Sequence, residues 1–137
     1  MKVVIDTNVY IDWINAGKYR DLILARGFVK YLSTVVMMEL LAGAVRREDR
    51  RILERMVRAF ESAGRLLVPV ASDYERAGDV LRELRQRRNY GSQKIRALVN
   101  DVLIAVSARR IGAWVITQNT QDFQAIHEVF KFNFISV

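Results

Sequence analysis

The sequence predicts an α/β fold in which helices cover a central parallel sheet, and three observations carry that expectation. Short Val/Ile-rich runs alternate with longer stretches of helical spacing, in the order strand, helices, strand, helices, strand, helix, strand. Only one proline, Pro69, occurs in 137 residues, and no low-complexity tract or internal repeat suggests a linker, so residues 1–137 are expected to form one domain. Hydrophobic residues make up 51% of the chain, enough for a sizeable core.

Lys2–Ile5 reads as the first strand, followed by helix from about Val9 to Asn15 and again from Lys18 to Arg26. Tyr31–Ser33 is a short second strand; Thr34 is placed to cap a helix through Ala42 that Gly43 ends. Two charged helices, Arg46–Ala63 and Ser72–Arg88, flank Leu66–Val70. Ile95–Arg110 is apolar on nearly every side, as a buried helix is, and Gly112 closes it before the third core strand, Trp114–Thr117. A helix from Asp122 to about Val129 precedes the alternating Phe130-Lys131-Phe132-Asn133-Phe134, read as a half-buried edge strand.

Composition narrows the chemistry. The chain has no cysteine and a single histidine, His127, which excludes disulfide scaffolds, thiol nucleophiles, Cys/His zinc sites and two-histidine phosphodiester cleavage. His127 itself reads as a surface residue. No apolar run is long enough to span a membrane and Asp6 interrupts any leader-like core, so a soluble cytoplasmic protein is expected. Lys and Arg outnumber Asp and Glu by 22 to 15, a balance that suits a polyanionic partner such as nucleic acid or, alternatively, a solvated surface rich in arginine.

The carboxylates fall into two populations. Glu54, Glu61 and Glu83 each precede an arginine by four residues (Arg58, Arg65, Arg87), the favourable order for solvated helix pairs. Glu39 and Asp101 instead have only apolar or glycine neighbours one turn away: Val35, Val36, Ala42 and Gly43 around the first, Ala97, Leu98, Ile104 and Ala105 around the second. Such a carboxylate must be compensated by protonation, by an arginine from elsewhere in the fold, or by a bound cation. Asp6 ends the first strand, a place suited both to a helix N-cap and to a ligand crevice at the carboxyl ends of parallel strands. Asp6, Glu39 and Asp101 can converge on one sheet edge, where Mg²⁺ or Mn²⁺ would be the natural partner and metal-assisted phosphodiester hydrolysis the leading reaction. Asn119 and Asp122 follow the third core strand and are further candidates, with a turn and an N-cap as their structural alternative.

Four segments in this order, Val3-Val4-Ile5-Asp6-Thr7-Asn8-Val9, Met38-Glu39-Leu40-Leu41-Ala42-Gly43, Asn100-Asp101-Val102-Leu103-Ile104-Ala105 and Ile116-Thr117-Gln118-Asn119-Thr120-Gln121-Asp122-Phe123, resemble those of the PIN-domain ribonucleases, especially the VapC-type toxins of toxin–antitoxin pairs. The resemblance covers nearly the whole chain. It implies a three-layer α/β/α sandwich, Mg²⁺ or Mn²⁺ held by Asp6, Glu39 and Asp101, and products ending in 5′-phosphate and 3′-hydroxyl. Many relatives carry an aspartate where this chain has Asn119, which leaves the fourth site residue open between Asn119 and Asp122. Thr7, Asn8 and Thr117 are candidates to orient ligands or water.

The resemblance further implies an RNA substrate, a homodimer and a protein antitoxin. Arg88, Lys94 and Arg96, within a basic stretch that also holds Arg82, Arg85 and Arg87, are candidates to contact the RNA backbone, with Tyr90 placed to stack on a base. The prosaic alternative is a solvated helix face. A haloacid-dehalogenase phosphatase or a response-regulator receiver fits less well, because Asp6-Thr7-Asn8 supplies neither Asp-x-Asp nor an acidic pair. From a different class, a PIN fold without activity would bind RNA or protein only.

Overall fold

The computed structural model describes residues 1–137. Its strands are β1 (Lys2–Ile5), β2 (Val29–Ser33), β3 (Leu66–Leu67), β4 (Trp114–Thr117) and β5 (Phe134–Ser136). Its helices are α1 (Thr7–Ala16), α2 (Arg20–Leu24), α3 (Thr34–Gly43), α4 (Arg47–Ser62), α5 (Ala71–Arg88), α6 (Ser92–Arg110) and α7 (Thr120–Val129). The strands form one sheet in the order β3-β2-β1-β4-β5, and every adjacent pair is parallel. With helices between successive strands this is the three-layer α/β/α arrangement that the sequence implies.

β1 lies at the centre because its side chains are apolar on both faces: Val3, Val4 and Ile5 are all buried. Val4 is in register with Tyr31 of β2 on one side and Val115 of β4 on the other. α6 is buried along most of its length, through Ile95, Leu98, Val102–Val106 and Ala108, and so closes one face of the sheet as its all-round apolar character predicts.

Several boundaries differ from the sequence reading, each for a physical reason. Gly17 and Tyr19 both take left-handed backbone, so α2 starts only at Arg20 and is five residues long. A fifth strand, β3, arises from Leu66 and Leu67 pairing with Leu32 and Ser33. Ser33, not Thr34, caps α3: its hydroxyl accepts from the Val35 amide at 3.2 Å, while Thr34 is the first helical residue. Ser33 is fully buried, so Ser33→Ala is expected to lower stability by about 1 kcal/mol in urea denaturation.

The edge strand does not run over residues 130–134. Its place at the sheet edge is as expected, but β5 pairs with β4 only from Phe134, in register with Val115. Phe130 and Phe132 are buried in a ring cluster with Phe123 and Phe134, so the alternating phenylalanines serve aromatic packing ahead of the strand. His127 is half-buried, edge-on to Phe132 and Phe134. Of the three expected helix ion pairs only Glu83–Arg87 forms, at 3.7 Å. Glu54 pairs instead with Arg50, and Glu61 has no ion pair with Arg65 because α4 ends at Ser62 and Gly64 turns the chain.

Candidate active site

Asp6 lies where β1 ends. Its amide donates to the Ile116 carbonyl of β4 at 2.8 Å, and its carboxylate caps α1 by accepting from the Thr7 amide at 2.8 Å. The other carboxylate oxygen accepts from the Thr117 hydroxyl at the end of β4, at 2.7 Å. Capping and site-lining, alternatives in the sequence, are thus one geometry: an acid 3% exposed, at the carboxyl edge of two neighbouring strands.

The other candidates meet it there. Thr7, also buried, donates through its hydroxyl to Glu39 Oε1 on α3 at 2.7 Å. Asn119, in the cap position of α7, donates its side-chain amide to Asp101 Oδ2 on α6 and to Asp122 Oδ2 on α7, both at 3.1 Å. Its backbone amide donates to the Thr117 hydroxyl at 2.9 Å, so Thr117 ties Asp6 to the α7 turn. Thr117→Val is expected to lower stability by about 1–2 kcal/mol in urea denaturation, because it strands the buried Asp6 carboxylate and the half-buried Asn119 amide at once.

Electrostatics separates the acids. Burial raises the Asp101 carboxyl to about 7, reinforced by Asp6, Asp122 and Glu39 and only partly offset by the Asn119 hydrogen bond. Burial also raises Asp6, against the Thr117 and Thr7 hydrogen bonds, with Glu39 adding to the rise. At Asp122 burial is outweighed by hydrogen bonds from Lys94 and Asn119, and its carboxyl is lowered. No lysine or arginine forms an ion pair with Asp6, Glu39 or Asp101. As the side chains stand, no three of them form a group arranged to hold a metal ion.

The remaining candidates make no hydrogen bond or ion pair with Asp6, Glu39 or Asp101. Asn8 is exposed and makes none of the hydrogen bonds that link the acids. Lys94 is bound to Asp122 at 2.8 Å, with its ammonium 5.8 Å from the Tyr90 ring centre. Arg88 pairs with Glu128 at 2.6 Å and lies over Tyr90. Arg96 is exposed, with no ion pair.

Sequence reasoning passed over Gln118, whose amide donates to Asp12 at 2.8 Å and to the Tyr19 hydroxyl at 3.1 Å, bracing α1 against the β4 end. Its position inside the Thr117–Asp122 segment was the only signal. Asp12 is therefore a hydrogen-bond partner near the site.

The architecture is shared with solved structures. VapBC2 of Rickettsia felis, bound to a promoter DNA fragment, is similar at TM-score 0.70 and 23% identity, over 100% of this chain and 99% of that one. VapBC-1 of nontypeable Haemophilus influenzae is similar at TM-score 0.64 and 24% identity, over 99% and 98%. VapBC-5 of Mycobacterium tuberculosis, from the VapBC family of toxin–antitoxin systems, is similar at TM-score 0.62 and 21% identity, over the same shares. None of the curated proteins matches the chain. The PIN domain family model matches residues 3–129, and a match of that extent, on the fold just described, makes this chain a member of the PIN domain family.

Proposed function

We propose that the chain is a divalent-metal-dependent endoribonuclease of the VapC type, the toxin of a toxin–antitoxin pair. The observation that carries this reading is the electrostatic deficit of the crevice. Asp101 lies within range of the charges of Asp6, Asp122 and Glu39, and burial together with those acids pushes its carboxyl to about 7 while no lysine or arginine pairs with it. Membership of the PIN family and likeness to VapBC structures support the same reading.

The donor set suits Mg²⁺ or Mn²⁺, since it is all oxygen once the Asn119 amide gives way. In the structure that amide bridges Asp101 and Asp122 with N–H groups, a weak substitute for a cation. Asp6, Glu39 and Asp101 are the residues that would hold the metal. A bound divalent cation supplies Lewis acidity, activating water and neutralising charge on the scissile phosphate.

The protein's own residues supply the positioning. Thr117 fixes Asp6 and Thr7 fixes Glu39, so neither carboxylate needs to search for its orientation. Asn119 orients Asp101, and whether it or Asp122 completes the ligand set is the point on which this chain departs from many relatives. Arg96 is free to take a phosphate of the RNA, whereas Lys94 and Arg88 must first release Asp122 and Glu128. No helix is long and apolar enough to cross a membrane, and action on RNA in the cytoplasm, as a homodimer restrained by an antitoxin, follows from the VapC reading.

The test uses the purified chain, Mn²⁺ and single-stranded RNA. Cleavage with Mn²⁺ and its loss in EDTA are expected; cleavage that survives EDTA overturns the mechanism. Binding of Mn²⁺ should also raise the melting temperature, because a ligand at 100 times its Kd stabilises the folded state by about 2.7 kcal/mol. A metal-insensitive melt would favour the inactive-scaffold alternative.

A further inference from the structure

At the other edge of the sheet from the acids, two cations outside every ion pair and two phenyl rings outside every ring–ring pair meet in one place. Lys30 on β2 and Arg65 just before β3 line a cavity of about 200 Å³ together with Phe28, Phe60, Ala59 and Ala63. Neither cation belongs to any of the chain's ion pairs. Lys30 is half-buried and its ammonium donates to the Ala25 carbonyl, which leaves two of its three donors to be satisfied. Burial and the charge of Arg65 lower the Lys30 pKa, the mark of two like charges brought together without an acid between them.

The rings pack against the core but have no aromatic partner. Of the six phenylalanines, Phe123, Phe130, Phe132 and Phe134 form the aromatic cluster, while Phe28 and Phe60 take part in no ring–ring pair. Both are half-buried. The cavity lies at the amino ends of β2 and β3, whereas the acids lie at the carboxyl edge of the sheet, so it is not an extension of their crevice.

Arg65 is exposed and Lys30 half-buried, so an occupant that uses the whole lining brings negative charge to the two cations and an apolar, flat surface to the phenyl rings. The volume is below the ~300–1,000 Å³ of pockets that enclose drug-sized ligands, which restricts the occupant to about one ring system and its anionic group. A phosphate suits the pair of cations, since guanidinium presents a fork of donors and ammonium a mobile point charge. A nucleobase suits the rings, because base–aromatic stacking tolerates any base.

We propose that this cavity binds one nucleotide unit, phosphate on Lys30 and Arg65 and base against Phe28 and Phe60, either as a free nucleotide or as one nucleotide of an RNA strand.

The test is calorimetric titration of the full chain in EDTA with AMP, inorganic phosphate, adenosine and a four-nucleotide oligoadenylate. AMP should bind at least about 10-fold more tightly than phosphate or adenosine, since both halves of the site are needed. Lys30→Gln and Arg65→Gln should each weaken AMP by at least about 10-fold, a loss in the range expected for a charged hydrogen bond. Phe60→Leu should weaken AMP but leave phosphate unchanged. If the oligonucleotide binds more tightly than AMP and is lost in the same variants, the nucleotide comes from RNA; if AMP binds as well or better, it is free.

Absence of AMP binding, AMP binding indifferent to both glutamine variants, or phosphate bound as tightly as AMP would overturn the proposal. So would displacement of AMP by a peptide ending in a phenylalanine carboxylate at lower concentration than by oligoadenylate. Thermal melts check folding, and the two glutamine variants remove no ion pair. Because the titration needs neither metal nor the acids, its failure and the failure of the nuclease reading are separate results.

Discussion

Asp101→Asn is expected to reduce RNA cleavage by at least about 100-fold and, in the same molecule, to raise the melting temperature of the metal-free chain at neutral pH. The loss of activity follows from removing one of the carboxylates that would hold the metal, whose stabilisation of charge on the phosphate is an effect of about 10²–10³ for a single preorganised contact. The gain in stability follows from the burial and the neighbouring acids that raise the Asp101 carboxyl from 3.8 to about 7. Asparagine keeps the shape and still accepts a hydrogen bond from the Asn119 amide, but it cannot ionise.

The direction with pH is determined by which state holds the proton. Between about pH 4 and pH 7 the folded chain keeps Asp101 protonated while the unfolded chain has released it, so wild-type stability falls as pH rises through that window. A carboxyl raised from 3.8 to about 7 corresponds to a ceiling of about 4 kcal/mol, and coupling to the neighbouring Asp6, whose carboxyl is also raised, makes about 2 kcal/mol the more realistic size. Urea denaturation of both proteins at pH 4.5 and pH 7.5, buffer values of about that spacing, reads the difference directly. A wild-type stability that rises over this interval, or an Asp101→Asn variant with the same slope, would contradict the assignment of a charge deficit to the crevice.

Arg110→Ala carries the second large effect, this time on the fold alone. Asp73, in the first turn of α5, is 3% exposed, and Arg110 at the end of α6 reaches both of its carboxylate oxygens with Nε at 3.0 Å. The Asp73 carboxylate also accepts from the Val70 amide at 2.9 Å, closing the turn that leads from β3 into α5. Removing the guanidinium leaves an aspartate buried without its counter-charge, a change that costs about 3–5 kcal/mol when both groups are enclosed. The guanidinium side chain is 36% exposed, so screening places the cost nearer 2–3 kcal/mol.

A double-mutant cycle with Asp73→Asn separates the pair from its surroundings: the arginine change should cost much less once the carboxylate is gone. Cleavage per folded molecule should be unchanged, because neither residue makes a hydrogen bond or ion pair with Asp6, Glu39 or Asp101. Additive single costs would show that Arg110 acts through its packing and its bond to the Val68 carbonyl instead.

Much of the frame was legible because its signals are local. Val3-Val4-Ile5 and Trp114–Thr117 are too apolar to lie anywhere but the middle of a covered sheet, and α6 declares its burial by being apolar on nearly every side over most of its length. Glu39 and Asp101 stood out for a local reason too, a carboxylate with no basic neighbour within one helical turn. Phe130-Lys131-Phe132 misled for the converse reason: its period of two matches a strand, but the rings found each other and α7 before the backbone found β4.

What the chain determined by itself was the identity and spacing of the elements, together with an excess of acids that no neighbour in sequence could neutralise. Only the tertiary structure decided which charges meet. Lys94 came to Asp122 across 28 residues, Arg110 to Asp73 across 37, and Thr117 to Asp6 across 111, while Glu54 took the arginine behind it and not the one ahead. Hydrophobic periodicity is written along one helix or strand and can be read there, but a charged group takes whatever opposite charge or donor the packed core delivers, and that choice exists only once the core has formed.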